Sequence, residues 1–154
     1  TSALYDGNLG GLAGADAKCQ ALASVAALPG NYRAFLSATG VNAPDRFGDF
    51  ELRLTDGVTV VANDKADLLD GTLDAAISRD QSGADVGARM VWTATSASGS
   101  YFGENCNNSG VAPDWSTTSG STIAGLANST TTGWLTGASI RPCANSLSLY
   151  CMQE

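Results

Sequence analysis

The clearest alternation of apolar and polar residues lies near the C-terminus, in residues 146–152. Apolar and polar positions alternate there one by one: Leu147, Leu149 and Cys151 against Ser146, Ser148 and Tyr150. A period of two residues is typical of a strand with one buried face. The pattern therefore predicts a final, half-buried β-strand.

A helix is predicted over residues 15–28, after a glycine-rich surface loop at residues 5–11. Asp16 is expected in its first turn, where a carboxylate favours the positive end of the helix dipole. Pro29 and Gly30 end the helix. Four apolar residues recur at helical spacing and predict the buried face: Cys19, Leu22, Val25 and Ala26.

Four further segments are predicted as strands. Residues 31–37 are typical of a buried strand, and residues 86–95 predict a central strand around Val91, Trp92 and Thr93. Two short strands flank a turn: residues 52–54 and 58–61.

A short helix is predicted over residues 64–70, with Asn63 as its N-cap, and one more helical turn over residues 73–77. Carboxylates spaced three or four apart would share a face of this region, which favours a solvated acidic surface over a cation site. They are Asp64, Asp67, Asp70 and Asp74.

Residues 96–139 are mostly Ser, Thr, Gly and Asn, with isolated aromatic residues. A segment of this length without periodicity is usually functional or disordered. Cys106 and Cys143 bracket most of it, which favours an ordered, cross-linked loop region. Trp92 and Trp134 are expected in or near the core.

The composition predicts one loop-rich domain covering residues 1–154. Of the 154 residues, 18 are Gly and only 15% are charged. The net charge of −7 makes nucleic acid, heparin and anionic membranes poor partners, because they repel an acidic surface, and we expect no nucleic acid partner. No apolar run is long enough to predict membrane insertion.

The chain has no histidine and four cysteines. Without histidine, the commonest general base and zinc ligand are missing, so we expect no enzyme activity and no cofactor. The cysteines lack zinc-type spacing and predict two disulfides, hence an oxidising compartment. Three pairings are open, and we favour the nested one, first with fourth and second with third.

Several motifs occur in an order that resembles a known family. Residues 5–19 are similar to the opening of a bacterial domain found in secreted proteins and lipoproteins. Residues 32–37 are similar to the segment after the first helix of endostatin. Further matches follow at residues 67–71, 91–93, Cys106 and 149–151. Over residues 5–152 the chain thus resembles the C-type lectin-like superfamily, in its endostatin-like branch.

The resemblance implies an α+β fold: a mainly antiparallel sheet, one long helix, one or two short helices, a long loop region and two disulfides. It implies the pairs Cys19–Cys151 and Cys106–Cys143. It also implies a bacterial protein that is secreted or displayed at the cell surface. The zinc and heparin sites of endostatin are not carried over, because the chain lacks histidines and clustered basic residues. The Glu-Pro-Asn and Trp-Asn-Asp motifs of calcium lectins are also absent.

The candidate ligand site lies in the loop where this fold usually binds. Amide and carboxylate groups can chelate the vicinal hydroxyls of a sugar, and an aromatic face can stack on its C–H groups. The same oxygens could hold calcium, which is the lesser alternative. A structural role is the other interpretation: the asparagines satisfy loop backbone and the tryptophan packs on a disulfide. The predicted site residues are Tyr101, Glu104, Asn105, Asn107, Asn108, Asp114 and Trp115.

The functional hypothesis is a non-catalytic extracellular binding module, part of an adhesin, that recognises a glycan or a cell-surface protein through residues 101–135. The alternative is a structural or oligomerisation module, for example a trimeric fibre tip or stalk cap, since relatives of endostatin often end trimeric proteins.

Overall fold

The computed structural model describes residues 1–154 as a mixed α+β structure with two disulfides. One long helix, two short helices and eight short strands build it, and a 3-10 turn lies at Ala43–Arg46. None of the helices has the length and apolar character needed to cross a membrane. The elements are α1 (Gly11–Val25), β1 (Tyr32–Ala34), β2 (Leu52–Arg53), β3 (Val60–Ala62), α2 (Lys65–Leu68), β4 (Met90–Trp92), β5 (Ser121–Leu126), α3 (Gly133–Thr136), β6 (Ser139–Pro142), β7 (Ser148–Leu149) and β8 (Cys151–Gln153).

The strands form three small sheets. Four strands lie in the order β6-β5-β4-β7, in which only the β4–β7 pair is parallel. The antiparallel pairs β1–β8 and β2–β3 form the other two sheets. The C-terminal segment therefore joins two sheets, because β7 and β8 are consecutive and separated by Tyr150 alone.

The prediction of one half-buried C-terminal strand is wrong. Ser148 and Tyr150, expected to face solvent, are 2% and 3% exposed. The segment passes through the interior between two sheets, so both of its faces are covered. Ser148 donates its hydroxyl to the Thr1 carbonyl at 3.1 Å, and Tyr150 donates to the Trp134 carbonyl at 3.1 Å.

Helix α1 begins four residues earlier than predicted, inside the presumed surface loop. The N–H groups of Leu9, Gly10 and Gly11 all donate to the carbonyl of Trp115, at 2.9 to 3.0 Å. These bonds satisfy donors that a helix start leaves unpaired. Asp16 therefore lies beyond the first turn, where it accepts bonds from the Ala34 N–H at 3.0 Å and the Arg46 guanidinium at 2.6 Å.

The buried face of α1 also differs from the prediction. The buried side chains are Ala15, Cys19 and Ala23, whereas Val25 is 86% exposed and Ala26 lies beyond the helix. Small side chains at a spacing of four let the helix approach β1 closely. The predicted face, which included Leu22 and Val25, is therefore rotated around the helix axis relative to the face that is buried.

Strand β5 and helix α3 lie where a long loop was expected. Thr122, Ile123 and Ala124 are buried, and β5 pairs with both β4 and β6. A Cβ added at Gly125 would lie 1.7 Å from the Trp134 carbonyl oxygen, so only glycine lets α3 pack on this strand. Glycine here marks close packing in the core, not a loop.

Three shorter predictions also need correction. Asp64, not Asn63, caps α2, since its carboxylate accepts the Asp67 N–H at 2.8 Å. No helical turn forms over residues 73–77. The strand expected over residues 31–37 pairs only in β1, although the residues after it are buried.

Two apolar clusters form the core. The first core cluster contains Trp92, Trp115 and three cysteines of the disulfides, with Cys151 packed against it. The second core cluster is centred on Phe35, Phe47, Trp134 and Tyr150 and contains no disulfide. The disulfides join Cys19 to Cys151 and Cys106 to Cys143, which is the nested pairing.

Candidate functional site

Four of the seven predicted site residues line one open depression of about 560 Å³. They are Tyr101, Glu104, Asn105 and Asn107. The remaining wall comes from residues that the sequence analysis did not single out: Thr39, Gly103, Ser109, Gly110, Gly120 and Ser121. The depression is polar and has one aromatic side chain.

The central sheet positions the floor of the depression. The chain leaves β4, turns, and returns at Tyr101, which forms an antiparallel bridge with Thr95. The Thr122 hydroxyl in β5 donates to the Glu104 carbonyl at 2.5 Å, and the disulfide ties Cys106 to the end of β6. The segment at residues 104–106 is thus held against two strands of the sheet.

Asp114 does not line the depression itself, but it connects two residues that do. Its carboxylate accepts the Thr39 N–H and, at 2.9 Å, the Asn107 amide. Partial burial of Asp114 raises its pKa, but the hydrogen bonds from Thr39 and Asn107 outweigh burial and hold the pKa below its usual value of 3.8. Asp114 stays ionised and positions Thr39 and Asn107.

Trp115 does not belong to the ligand surface, and its assignment as a ligand-stacking residue is wrong. The residue is fully buried, and its ring lies edge-on to Trp92 with a centroid distance of 5.9 Å. The indole N–H donates to the Ser37 carbonyl at 2.8 Å. A sugar cannot reach this ring, and its packing beside the disulfides matches the structural interpretation.

Asn105 is the most deeply buried polar group of the depression, at 3% exposure. Its amide nitrogen donates to the Tyr101 hydroxyl at 3.2 Å, whereas its Oδ1 accepts no hydrogen bond. A buried carbonyl oxygen without a donor is uncommon, because it loses hydration without compensation. Asn105 thus leaves one buried amide oxygen without a donor beside the depression.

Glu104 is exposed and makes no ion pair. Its carboxylate has one long contact, with the Ser121 hydroxyl at 3.5 Å. This carboxylate is free to accept hydrogen bonds from a ligand.

Asn108, also predicted as a ligand residue, does not line the depression. It starts a left-handed turn, with φ angles of 53° at Asn108, 57° at Ser109 and 84° at Gly110. The Gly110 N–H donates to Asn107 Oδ1 at 3.0 Å. The turn shapes the rim, and its Asn108 side chain is exposed outside it.

Thr39 is the residue that sequence reasoning could not have placed. It lies in a tight turn in which Ala38 and Val41 exchange backbone hydrogen bonds at 2.9 Å. No local pattern links this turn to Asn107 or Asp114, which lie more than sixty residues away. In the second half of the predicted region 101–135, residues 122–125 and Trp134 are buried, so they are not available to a ligand.

No group of three or more carboxylates and cysteines is placed to hold a metal ion. The aspartates of the α2 region accept local hydrogen bonds instead. The Asn63 side-chain amide donates to Asp67 and Asp74, and the Thr72 hydroxyl donates to Asp70. These interactions are those of a solvated acidic face.

No family model matches this chain, and no curated protein matches it at a significant level. The geometry of the depression therefore carries the functional interpretation.

Proposed function

We propose that the protein is a non-catalytic extracellular binding module, of the C-type lectin-like type, that recognises a glycan through the depression. The mixed α+β fold, its small sheets, the single long helix and the nested disulfides support the comparison with that fold. The two disulfides also fit an oxidising compartment.

The observation that carries this proposal is the side-chain chemistry of the depression. The exposed carboxylate of Glu104 and the hydroxyls of Thr39, Ser109 and Ser121 line the depression together with a half-buried aromatic residue, Tyr101. Sugars are bound by planar polar groups that pair with hydroxyls and by an aromatic face under their C–H groups. Tyr101 takes the aromatic role that was expected of Trp115.

A glycan-array screen of the purified protein, once with calcium and once with EDTA, tests this function. Tyr101→Ala should abolish binding to any glycan found, whereas Tyr101→Phe should retain most of it because the ring remains. Thermal unfolding of both variants checks that they are folded. Binding that is unchanged in Tyr101→Ala would place the glycan elsewhere and overturn the proposed site.

Silence on the array in both buffers would contradict glycan recognition. The alternative, a structural or oligomerisation module, predicts a trimer, so the mass of the protein in solution is the next measurement. A monomer would leave recognition of a surface protein as the remaining hypothesis.

A further inference from the structure

The depression lies in the least basic part of the chain. Residues 90–140 contain no Lys or Arg, and their charged residues are Glu104 and Asp114. The lining itself contains one carboxylate and no cation. A concave surface with one sign of charge raises the local concentration of ligands of the opposite sign. The charge of the lining thus favours a cationic ligand.

The hydrogen-bond pattern favours the same kind of ligand. Four amide donors around the depression already have acceptors within the protein: the side chains of Asn105 and Asn107 and the N–H groups of Thr39 and Gly110. The lining hydroxyls of Thr39, Tyr101 and Ser109 can donate or accept, whereas the Glu104 carboxylate can only accept. Glu104 has no cation, and Asn105 Oδ1 has no donor.

Resting on the proposed glycan function, we infer that the recognised saccharide carries a free amino group, as in a 2-amino-2-deoxy sugar. The protonated amine supplies a positive charge and three donors, which match the Glu104 carboxylate and the lining hydroxyls. Hydrogen bonds between an ammonium and a carboxylate are among the stronger ones in proteins.

The remaining features favour a sugar over a lone ammonium group. The depression of about 560 Å³ is open and wide, and hydroxyls beside the amine would extend the row of donors. The half-buried ring of Tyr101 offers a surface to the C–H groups and to the cation. An acetylated amine loses the charge, and a uronic acid brings a carboxylate that Glu104 repels.

The test compares three oligosaccharides by calorimetry at low salt, at a pH that keeps the amine protonated. They are a β-1,4-linked glucosamine hexamer, its N-acetylated counterpart and a polygalacturonate oligomer. We expect the glucosamine hexamer to bind about five- to tenfold more tightly than the N-acetylated hexamer, and the uronate not to bind. Glu104→Gln should weaken binding of the glucosamine hexamer by a similar factor, because the amide keeps an acceptor oxygen but loses the charge.

The matched control is Glu51→Gln, which removes the same charge from an exposed glutamate outside the depression that pairs with Arg53. An equal loss in both variants would reduce the effect to net charge and overturn the inference. Equal affinity for both hexamers would also overturn it, while leaving glycan recognition in place. Binding of neither hexamer, together with Glu104-dependent binding of a lysine-rich peptide, would overturn both the inference and the proposed function.

Discussion

The two core clusters are of similar size but are held together in different ways. The second core cluster is a set of large side chains in direct contact: Phe35 lies 5.2 Å from the Trp134 ring and 5.9 Å from the Phe47 ring. The first core cluster packs two tryptophans against leucines, alanines and the cysteines of both disulfides. The second core cluster thus relies on non-covalent packing alone, whereas the first is also cross-linked.

The candidate site lies on the cluster that depends on cross-links. Tyr101 packs against the first core cluster, and Cys106 and Trp115 belong to it. The same loop that buries Trp115 and Cys106 presents Glu104 and Asn107 to solvent. We infer that the depression keeps its shape because the loop that lines it is packed on, and cross-linked to, the first core cluster.

Removal of the disulfides should have the largest effect. In the chain-entropy account, with separations of 132 and 37 residues, the Cys19–Cys151 and Cys106–Cys143 bonds stabilise the fold by about 5 and about 4 kcal/mol. Paired Cys→Ala variants, followed by urea unfolding, measure both losses. Only the Cys106–Cys143 variant should also lose ligand binding while still folded. Equal loss of binding in both variants would contradict the local anchoring.

Truncation of one tryptophan in each core cluster should cause the next largest loss in the free energy of unfolding. Trp115→Ala and Trp134→Ala should each lower the free energy of unfolding by about 3 to 5 kcal/mol, because both rings are fully buried. Trp115→Phe keeps a ring and loses the bond to Ser37, so it should cost less. Trp115→Phe should weaken glycan binding, whereas Trp134→Phe should not. Weaker binding in Trp134→Phe alone would contradict the proposed position of the site.

Asp114→Asn should cost about 1 kcal/mol near neutral pH, since the charged acceptor of Thr39 and Asn107 is lost. The pKa of Asp114 is lowered in the folded protein, so its stabilisation is present above the ordinary value of 3.8 and is lost as the pH falls below it. The difference in unfolding free energy between wild type and variant should therefore shrink in acid. Asp85→Asn, at an exposed position, is the control, and a constant difference across this pH range would be the contrary result.

Glu104→Gln should have the smallest effect on stability, below about 0.5 kcal/mol, because its side chain is exposed and makes no ion pair. Glu51→Gln loses only an exposed ion pair and should cost equally little. Thermal unfolding of both variants checks this. A clear destabilisation by Glu104→Gln would mean that its carboxylate supports the loop and is not free for a ligand.

Several features were accessible from the sequence because their causes are local. The turn at Asp56 and Gly57, the pairing of strands beside it and the interior position of Trp92 follow from residue type and spacing alone. The polar character of residues 101–107 was equally visible. Strand β5 was not predicted, because its glycine and serine are residue types that also occur in loops. In the structure these small residues allow tight packing in the core.

The sequence by itself determined the residue types at the site, the lack of histidine and the cysteines available for cross-linking. The tertiary structure alone decided which side of the loop faces outward. The Trp115 carbonyl meets the start of α1 about one hundred residues away, and Asp114 meets Thr39 across seventy-five. Such contacts join residues that are distant in the sequence and form only when the whole chain folds. The periodicity of a sequence indicates only which residues of one helix or strand share a face. For that reason Trp115 lies in the core and Tyr101 in the depression.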